Sequence, residues 1–339
     1  MNLAKFPRRR YTHFDTPIEP LNNLSKHLGG PTIYMKRDDL LGLTSGGNKT
    51  RKLEFLVADA LFNGADTLIT CGAIQSNHCR LTLAAAVKEG MGCHLVLEEH
   101  VPNTYDPDAS GNNFLYKLLG VDHITIVPKG TDLLYVMEEV KENLEELGKT
   151  PYIIPGGGSN EIGTTGYVAC AEEIQIQSFQ KGIQIDHVIT ASGSGGTHAG
   201  LIAGFFGTNS QIPIIGINVS RNKDEQETLI YDLAKLVAKH VGIREELPRD
   251  TVVCFDNYVG PGYSLPTDEM VEAIQLVART EGILLDPVYS GKTMAGMIDL
   301  IRKGYFNSDD QILFVHTGGS PALYAYTNTV LNDFVVHSS

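Results

Sequence analysis

Three observations predict an α/β fold with two domains, each built on a parallel sheet flanked by helices. Short apolar runs such as Thr67–Cys71, Val188–Ala191 and Ile214–Asn218 are continuous rather than alternating, as strands covered on both faces require. Amphipathic or glycine-bounded helical stretches separate them. Glycine-rich turns follow several of the runs, at the strand ends where open α/β sheets bind ligands. A chain of 339 residues is long enough for two cores, and a cleft between two sheets is the default place for a ligand.

Taken in order, residues 1–35 read as irregular, because Pro17, Pro20 and Pro31 interrupt any pattern. At Ser45-Gly46-Gly47-Asn48-Lys49 two adjacent glycines let the backbone take φ > 0 and pass close to a ligand. Lys49 opens a helix with Leu53, Leu56, Val57, Ala60 and Leu61 at helical spacing, stopped by Asn63-Gly64. The strand Thr67–Cys71 turns through Gly72–His78 into a helix ended by Gly90. Further strands are His94–Glu98, His123–Val127, Tyr152–Pro155, Val188–Ala191, Ile214–Asn218, Val252–Phe255 and Ile312–Val315. Helices are expected over Leu133–Leu147, from Asn160 to about Phe179, from Thr197, and over Thr267–Arg279. No repeat period or low-complexity tract appears.

Charge and composition exclude several classes. The formal net charge is −13, so no basic face is available to neutralise phosphates in series, and nucleic acid is not expected as a partner. No run of about eighteen apolar residues exists, and Arg8-Arg9-Arg10 is not followed by an apolar signal region. The five cysteines are odd in number and lack CxxC or Cys/His ligand spacing, which reads as reduced thiols in a cytoplasmic protein with no metal site.

Three places carry chemistry besides the glycine turn. Lys49 at a helix start, with Arg51 and Lys52 one turn away, is expected to have a disfavoured ammonium form and hence a nucleophilic amine; a solvated basic helix start is the plainer alternative. Gln75-Ser76-Asn77-His78 offers hydroxyl, amide and free N–H groups to a carboxylate or phosphate, or simply an N-cap by Ser76 or Asn77. Ser192-Gly193-Ser194-Gly195-Gly196-Thr197 runs from strand to helix and presents successive N–H groups and hydroxyls to a phosphate. It is neither a Walker loop nor a dinucleotide fingerprint: Thr197 stands where the last glycine belongs, and Ile217-Asn218-Val219 supplies no acidic residue. A phosphate monoester fits better. Tyr289, before a Ser-Gly turn into a helix, and Thr317, after a strand, are either satisfied core groups or an acid/base and a hydrogen-bond partner for a heterocycle. A lysine, a phosphate cradle and such hydroxyls together suit pyridoxal 5'-phosphate.

At this point the chain resembles the fold-type II pyridoxal-phosphate enzymes (tryptophan synthase β-like) that include D-cysteine desulfhydrase and 1-aminocyclopropane-1-carboxylate (ACC) deaminase. The resemblance runs from Thr16-Pro17 to Ala322 through KRDD at Lys36–Asp39, GGNKTRKLEFL at Gly46–Leu56, GAIQSNH at Gly72–His78, GGSN at Gly157–Asn160, SGSGGTHAG at Ser192–Gly200 and EGILLDPVYSGK at Glu281–Lys292. It implies a large cofactor-binding domain over 1–48 and 162–339, a small domain over 49–161, and a homodimer. It implies Lys49 as the Schiff-base lysine, Asn77 against the ring hydroxyl, and Lys52 with Ser194, Gly195, Gly196 and Thr197 on the phosphate. Thr317 would face the ring; Ser76, Asn77 and His78 would receive an amino-acid substrate, with Tyr263 lining its side and Tyr289 as catalytic acid or base. ACC deaminases carry glutamate and leucine where this chain has Ser290 and Thr317, and the desulfhydrases carry this pattern. The resemblance therefore implies a β-eliminating lyase on D-cysteine, with L-cysteate sulfo-lyase and then ACC deaminase as alternatives. A non-catalytic amino-acid sensor on this fold would be expected to lose Lys49 or Tyr289, and both are present.

Overall fold

The computed structural model describes residues 1–331; residues 332–339 of the expected large domain lie outside the described residues. In chain order the first half contains β1 (Ile18–Pro20), α1 (Asn22–Leu28), β2 (Thr32–Lys36), α2 (Lys49–Phe62), β3 (Thr67–Ala73), α3 (Asn77–Glu89), β4 (Gly92–Glu99), α4 (Asn112–Leu118), β5 (His123–Pro128), α5 (Leu133–Glu146) and β6 (Pro151–Ile154). The second half follows. It contains α6 (Glu161–Lys181), β7 (His187–Ser192), α7 (Gly196–Gly207), β8 (Ile214–Asn218), α8 (Lys223–His240), β9 (Val252–Phe255), α9 (Asp268–Glu281), α10 (Ser290–Arg302) and β10 (Gln311–Val315).

Two sheets result. One has six strands in the order β1-β2-β10-β7-β8-β9, the other four in the order β5-β4-β3-β6. Pairing is parallel throughout except at the edge, where β1 runs antiparallel to β2. The six-stranded sheet is covered on both faces: Ile33, Met35 and Ile215 pack with Ile274, Met294 and Ile298 on one side, while Val188 and Ile214 pack with Tyr167, Leu201 and Phe205 on the other. Leu53, Leu56, Val57 and Ala60 of α2 join the core of the four-stranded sheet. This is an α/β fold of parallel-dominated sheets flanked by helices, as the strand pattern predicted.

The expectation of an irregular N-terminal stretch was wrong. β1, α1 and β2 occupy it, and β2 lies inside the large sheet beside β10. The prolines that suggested an irregular stretch sit at boundaries: Pro20 ends an edge strand and Pro31 precedes β2, places where a missing N–H is tolerated. The reading also passed over α4 and α8. In α8, Ile230, Leu233, Ala234, Val237 and Ala238 are buried at helical spacing, so that signal was present.

Register brings the site together. Val315 of β10 pairs with Lys36 of β2, so Asp38 and Thr317 leave the sheet side by side at its C-terminal edge. Ser192 ends β7 beside Asn218 of β8, which places the glycine loop at that same edge. No described helix is long and apolar enough to cross a membrane, and all five cysteines are buried and free.

Candidate active site

The turn before Lys49 is left-handed: Ser45, Gly46 and Gly47 have φ of 58°, 64° and 127°. A Cβ on Gly46 would fall 1.8 Å from the Asp39 carbonyl oxygen, so glycine is required there. Gly47 N–H donates to the Asp38 carbonyl (3.1 Å) and Asn48 N–H to the Thr317 carbonyl (3.0 Å), tying the turn to the ends of β2 and β10. Asn48 adds a side-chain bond, donating to Thr197 Oγ1 at 2.8 Å, and accepts from Lys49 Nζ at 3.1 Å.

Lys49 Nζ sits 5.8 Å from the centre of the Tyr289 ring, in a cleft lined also by Asn77, His78, Ser194, Gly195, Thr197 and Thr317. Burial lowers its pKa to about 8, partly offset by the Asp286 carboxylate. Desolvation, and not the cationic neighbours the sequence suggested, disfavours the ammonium form. Arg51, counted among those neighbours, is directed away from the cleft onto Asp38 and Glu173. Lys52 does lie close, and burial together with the Lys49 charge pulls its pKa well down.

Lys52 belongs to an anion cradle. Its Nζ donates to the Gly157 carbonyl (2.9 Å) and Ser159 Oγ (3.1 Å), and no carboxylate pairs with it among the described residues. Ser159 Oγ in turn contacts Ser194 Oγ (2.9 Å) and accepts from Gly196 N–H (3.2 Å) at the start of α7. A Cβ on Gly196 would meet Lys52 Nζ at 2.6 Å, so glycine keeps the backbone against the ammonium. A buried, unpaired cation facing a helix N-terminus is the chemistry a phosphate requires. Ser159 was not among the residues singled out in the sequence; its GGSN stretch was the available signal.

At the start of α3, Ser76 is the N-cap, its Oγ accepting from Cys79 N–H at 3.1 Å, which leaves its hydroxyl hydrogen free to donate. Asn77 lines the cleft with Oδ1 held by Asn112 Nδ2 at 2.9 Å. His78 Nε2 lies 2.8 Å from Thr70 Oγ1; burial, with the Lys49 and Lys52 charges, keeps the ring neutral. Opposite them, the Tyr263 and Tyr289 hydroxyls are in hydrogen-bond contact. Burial pushes the Tyr263 phenol up to about 12 and Tyr289 well above its ordinary value, so both stay protonated near neutrality.

Ser290 is fully buried and stands behind the cleft wall. Its Oγ donates to Asp286 Oδ1 (2.7 Å) and accepts from Asp286 N–H (2.8 Å). Asp286, which the sequence reading assigned no role, also accepts the N–H groups of Val288, Tyr289 and Ser290. It fixes the backbone of Tyr289 and brings a carboxylate near Lys49. Of Ser290 and Thr317, it is Thr317 that lines the cleft.

The sheets, the lysine turn and the anion cradle define an α/β protein equipped for a phosphorylated aldehyde cofactor. The family described as "Pyridoxal-phosphate dependent enzyme" matches residues 10–318, and the chain belongs to that family. A crystal structure of an "ACC deaminase homologue" is 40% identical with a TM-score of 0.88, covering 97% of each chain. O-ureido-L-serine synthase shares the fold at 16% identity and TM-score 0.67, over 96% of this chain and 94% of that one. A mutant of that synthase with O-ureido-L-serine bound gives TM-score 0.63 at 16% identity, over 95% and 92%. The protein is therefore a pyridoxal-phosphate-dependent enzyme of fold-type II architecture.

Proposed function

We propose that the enzyme is a carbon–sulfur lyase that converts D-cysteine to pyruvate, hydrogen sulfide and ammonia. The observation that carries this reading is the residue pair Thr317, which lines the cleft, and Ser290, which is held by Asp286 behind its wall. Both are hydroxyls, where the ACC deaminases that the sequence resembles carry glutamate and leucine. A carboxylate beside the ring nitrogen strengthens an electron sink enough for ring opening; hydroxyls serve when a good leaving group departs from Cβ.

The cofactor supplies the electron sink for the carbon that loses its proton. In this reading Lys49 holds it, while Lys52, Ser194, Gly195, Gly196 and Thr197 bind its phosphate and Asn77 faces the ring hydroxyl. Ser76 and the N–H groups at the start of α3 receive the substrate carboxylate. A lysine lowered to about 8 is deprotonated often enough near neutrality to accept the Cα proton. The Tyr263–Tyr289 pair, both protonated, presents an acid on the leaving-group side. Sulfide leaves with the C–S electron pair, and the released aminoacrylate hydrolyses to pyruvate and ammonia.

The 40%-identical relative described as an ACC deaminase homologue favours ring opening of ACC as a second reading. L-cysteate, losing sulfite by the same elimination, is a third. Purified enzyme assayed for pyruvate, 2-oxobutyrate, sulfide and sulfite with D-cysteine, L-cysteine, L-cysteate and ACC separates them. Sulfide from D-cysteine as the fastest reaction is the expected result; faster 2-oxobutyrate from ACC, or faster sulfite from L-cysteate, overturns the substrate. A homodimer is part of the proposal, and light scattering that finds a single chain at micromolar concentration would remove it.

A further inference from the structure

We propose that Lys292 is a positioning residue of the active site, clamping the loop Val259–Ser264 so that Tyr263 meets Tyr289. Tyr289 and Lys292 are three positions apart at the start of α10 and therefore share a face. The Tyr289 hydroxyl reaches the Tyr263 hydroxyl, and Lys292 Nζ donates to two carbonyls of the same loop, Val259 at 2.7 Å and Gly262 at 2.9 Å. One turn of helix thus grips the loop twice.

The loop needs gripping. Gly260, Gly262 and Ser264 have φ of 66°, 154° and 63°, a backbone that cannot join a strand or helix. Its own backbone bonds are Val259 N–H to Asp256 at 3.2 Å and Leu265 N–H to Gly262 at 3.3 Å. Beyond those, Tyr326 donates to the Ser264 carbonyl at 3.0 Å, and the His100 ring, from the end of β4, packs 5.1 Å from the Tyr263 ring. Lys292 supplies the charge-assisted bonds.

The choice of lysine is itself informative. The side chain is buried and no carboxylate pairs with it among the described residues; burial lowers its pKa to about 8. A methionine of similar shape would be cheaper to bury, because a buried unpaired cation is destabilising. What the ammonium provides, and methionine does not, is donors aimed at two carbonyls on either side of a glycine-rich bend. The structural consequence is the location of Tyr263.

Because Tyr263 is placed on the substrate side by the proposed function, the inference rests on that reading, and its test has an arm that does not. Chymotrypsin cleavage after Tyr263 is followed in cofactor-free protein, where Lys292→Met should accelerate it at least about tenfold through local opening of the loop. In the loaded enzyme, Lys292→Met should lower kcat/KM for the amino acid turned over at least about tenfold. That loss should be absent in a Tyr263→Phe background, the double variant staying within about twofold of the worse single. Unchanged cleavage, or losses that simply multiply, overturns the proposal. Should Lys292→Met not accumulate folded, Lys292→Arg carries the test: a bulkier cation displaces the loop, so KM should rise while kcat falls less, and an unchanged KM overturns the proposal. Failure to turn over any of the four amino acids would sink the substrate assignment and leave the cleavage result to decide on Lys292.

Discussion

The first turns of α2 carry three basic side chains, Arg51 and Lys52 buried and Lys49 half-buried, and the structure treats them in two opposite ways. Arg51 points to one side into a closed network. Its Nε and Nη2 donate to the two Asp38 oxygens at 2.8 Å each, and Nη1 donates to Glu173 at 2.7 Å. Lys36 donates to the same Glu173, to the Thr16 carbonyl (2.6 Å) and to Gln177 (2.7 Å), while Tyr167 donates to Asp38 at 2.6 Å. Two cations meet two carboxylates. Lys49 and Lys52 point to the other side and have carbonyl, amide and hydroxyl partners but no carboxylate among the described residues. Cations already neutralised hold the turn; cations left without an anion are what a phosphate and an aldehyde can use.

The largest effect expected from that contrast is on the paired side. Arg51→Met leaves the buried Asp38 and the half-buried Glu173 with one cation between them, which should cost about 3–5 kcal/mol of folding stability. Urea unfolding measures it. Lys52→Met should behave oppositely, leaving the cofactor-free protein as stable or more so while weakening pyridoxal-phosphate affinity about 100-fold, close to 2.7 kcal/mol. Titration of cofactor absorbance reads that loss. If Lys52→Met unfolds the protein and Arg51→Met only weakens the cofactor, the division between the faces is wrong.

Acid sharpens the comparison. Burial alone would raise the Asp38 carboxyl, but Arg51 and Lys36, with the Tyr167 hydroxyl, hold it at about 2, below its ordinary 3.8. A lowered carboxyl contributes stability above its unfolded pKa and loses it as pH falls through the folded one. Roughly 2 kcal/mol should therefore disappear between pH about 4 and about 2. The Asp38→Asn variant should lack this portion. On the other face the window is alkaline: Lys49, lowered to about 8 from 10.5, binds more protons when unfolded, so cofactor-free protein should gain stability as pH rises through that range.

How legible this was in the sequence follows the same division. Lys49, the Ser194–Thr197 loop and Tyr289 were readable because their residue types stand at glycine turns, where local backbone geometry already implies a ligand. Strands were readable from continuous apolar runs. Glu173 was not, since in the middle of α6 it reads as an ordinary helix residue until Lys36 and Arg51 are packed on it. Asp286 and Lys292 lay inside a recognised stretch yet had no assigned role, because each acts on groups that only tertiary packing brings near. The N-terminal strands were missed for a local reason, prolines that bound elements being mistaken for prolines that prevent them.

The smallest expected effect comes from moving a carboxylate onto the unpaired face. Ser290→Glu removes a hydroxyl that donates to Asp286 and accepts from its N–H, and sets a second carboxylate beside the one whose charge already reaches Lys49. Two adjacent buried carboxylates either both stay ionised and raise the pKa of Lys49, or one takes a proton and the bonds that held Asp286 are rearranged. Thr317→Leu, made together with it, removes the hydroxyl of a cleft-lining residue and reshapes the wall beside Lys49. For an enzyme that depends on a ready amine and a good leaving group, both changes act against turnover. Sulfide release from D-cysteine should fall at least about tenfold, close to 1.4 kcal/mol in the barrier. Measuring sulfide and pyruvate for the wild type, each single variant and the pair apportions the loss, and β-chloroalanine as a second substrate tests whether it follows the leaving group. An unchanged rate in the pair would mean that this corner of the cleft does not set the reaction, and the desulfhydrase reading would lose the observation on which it stands.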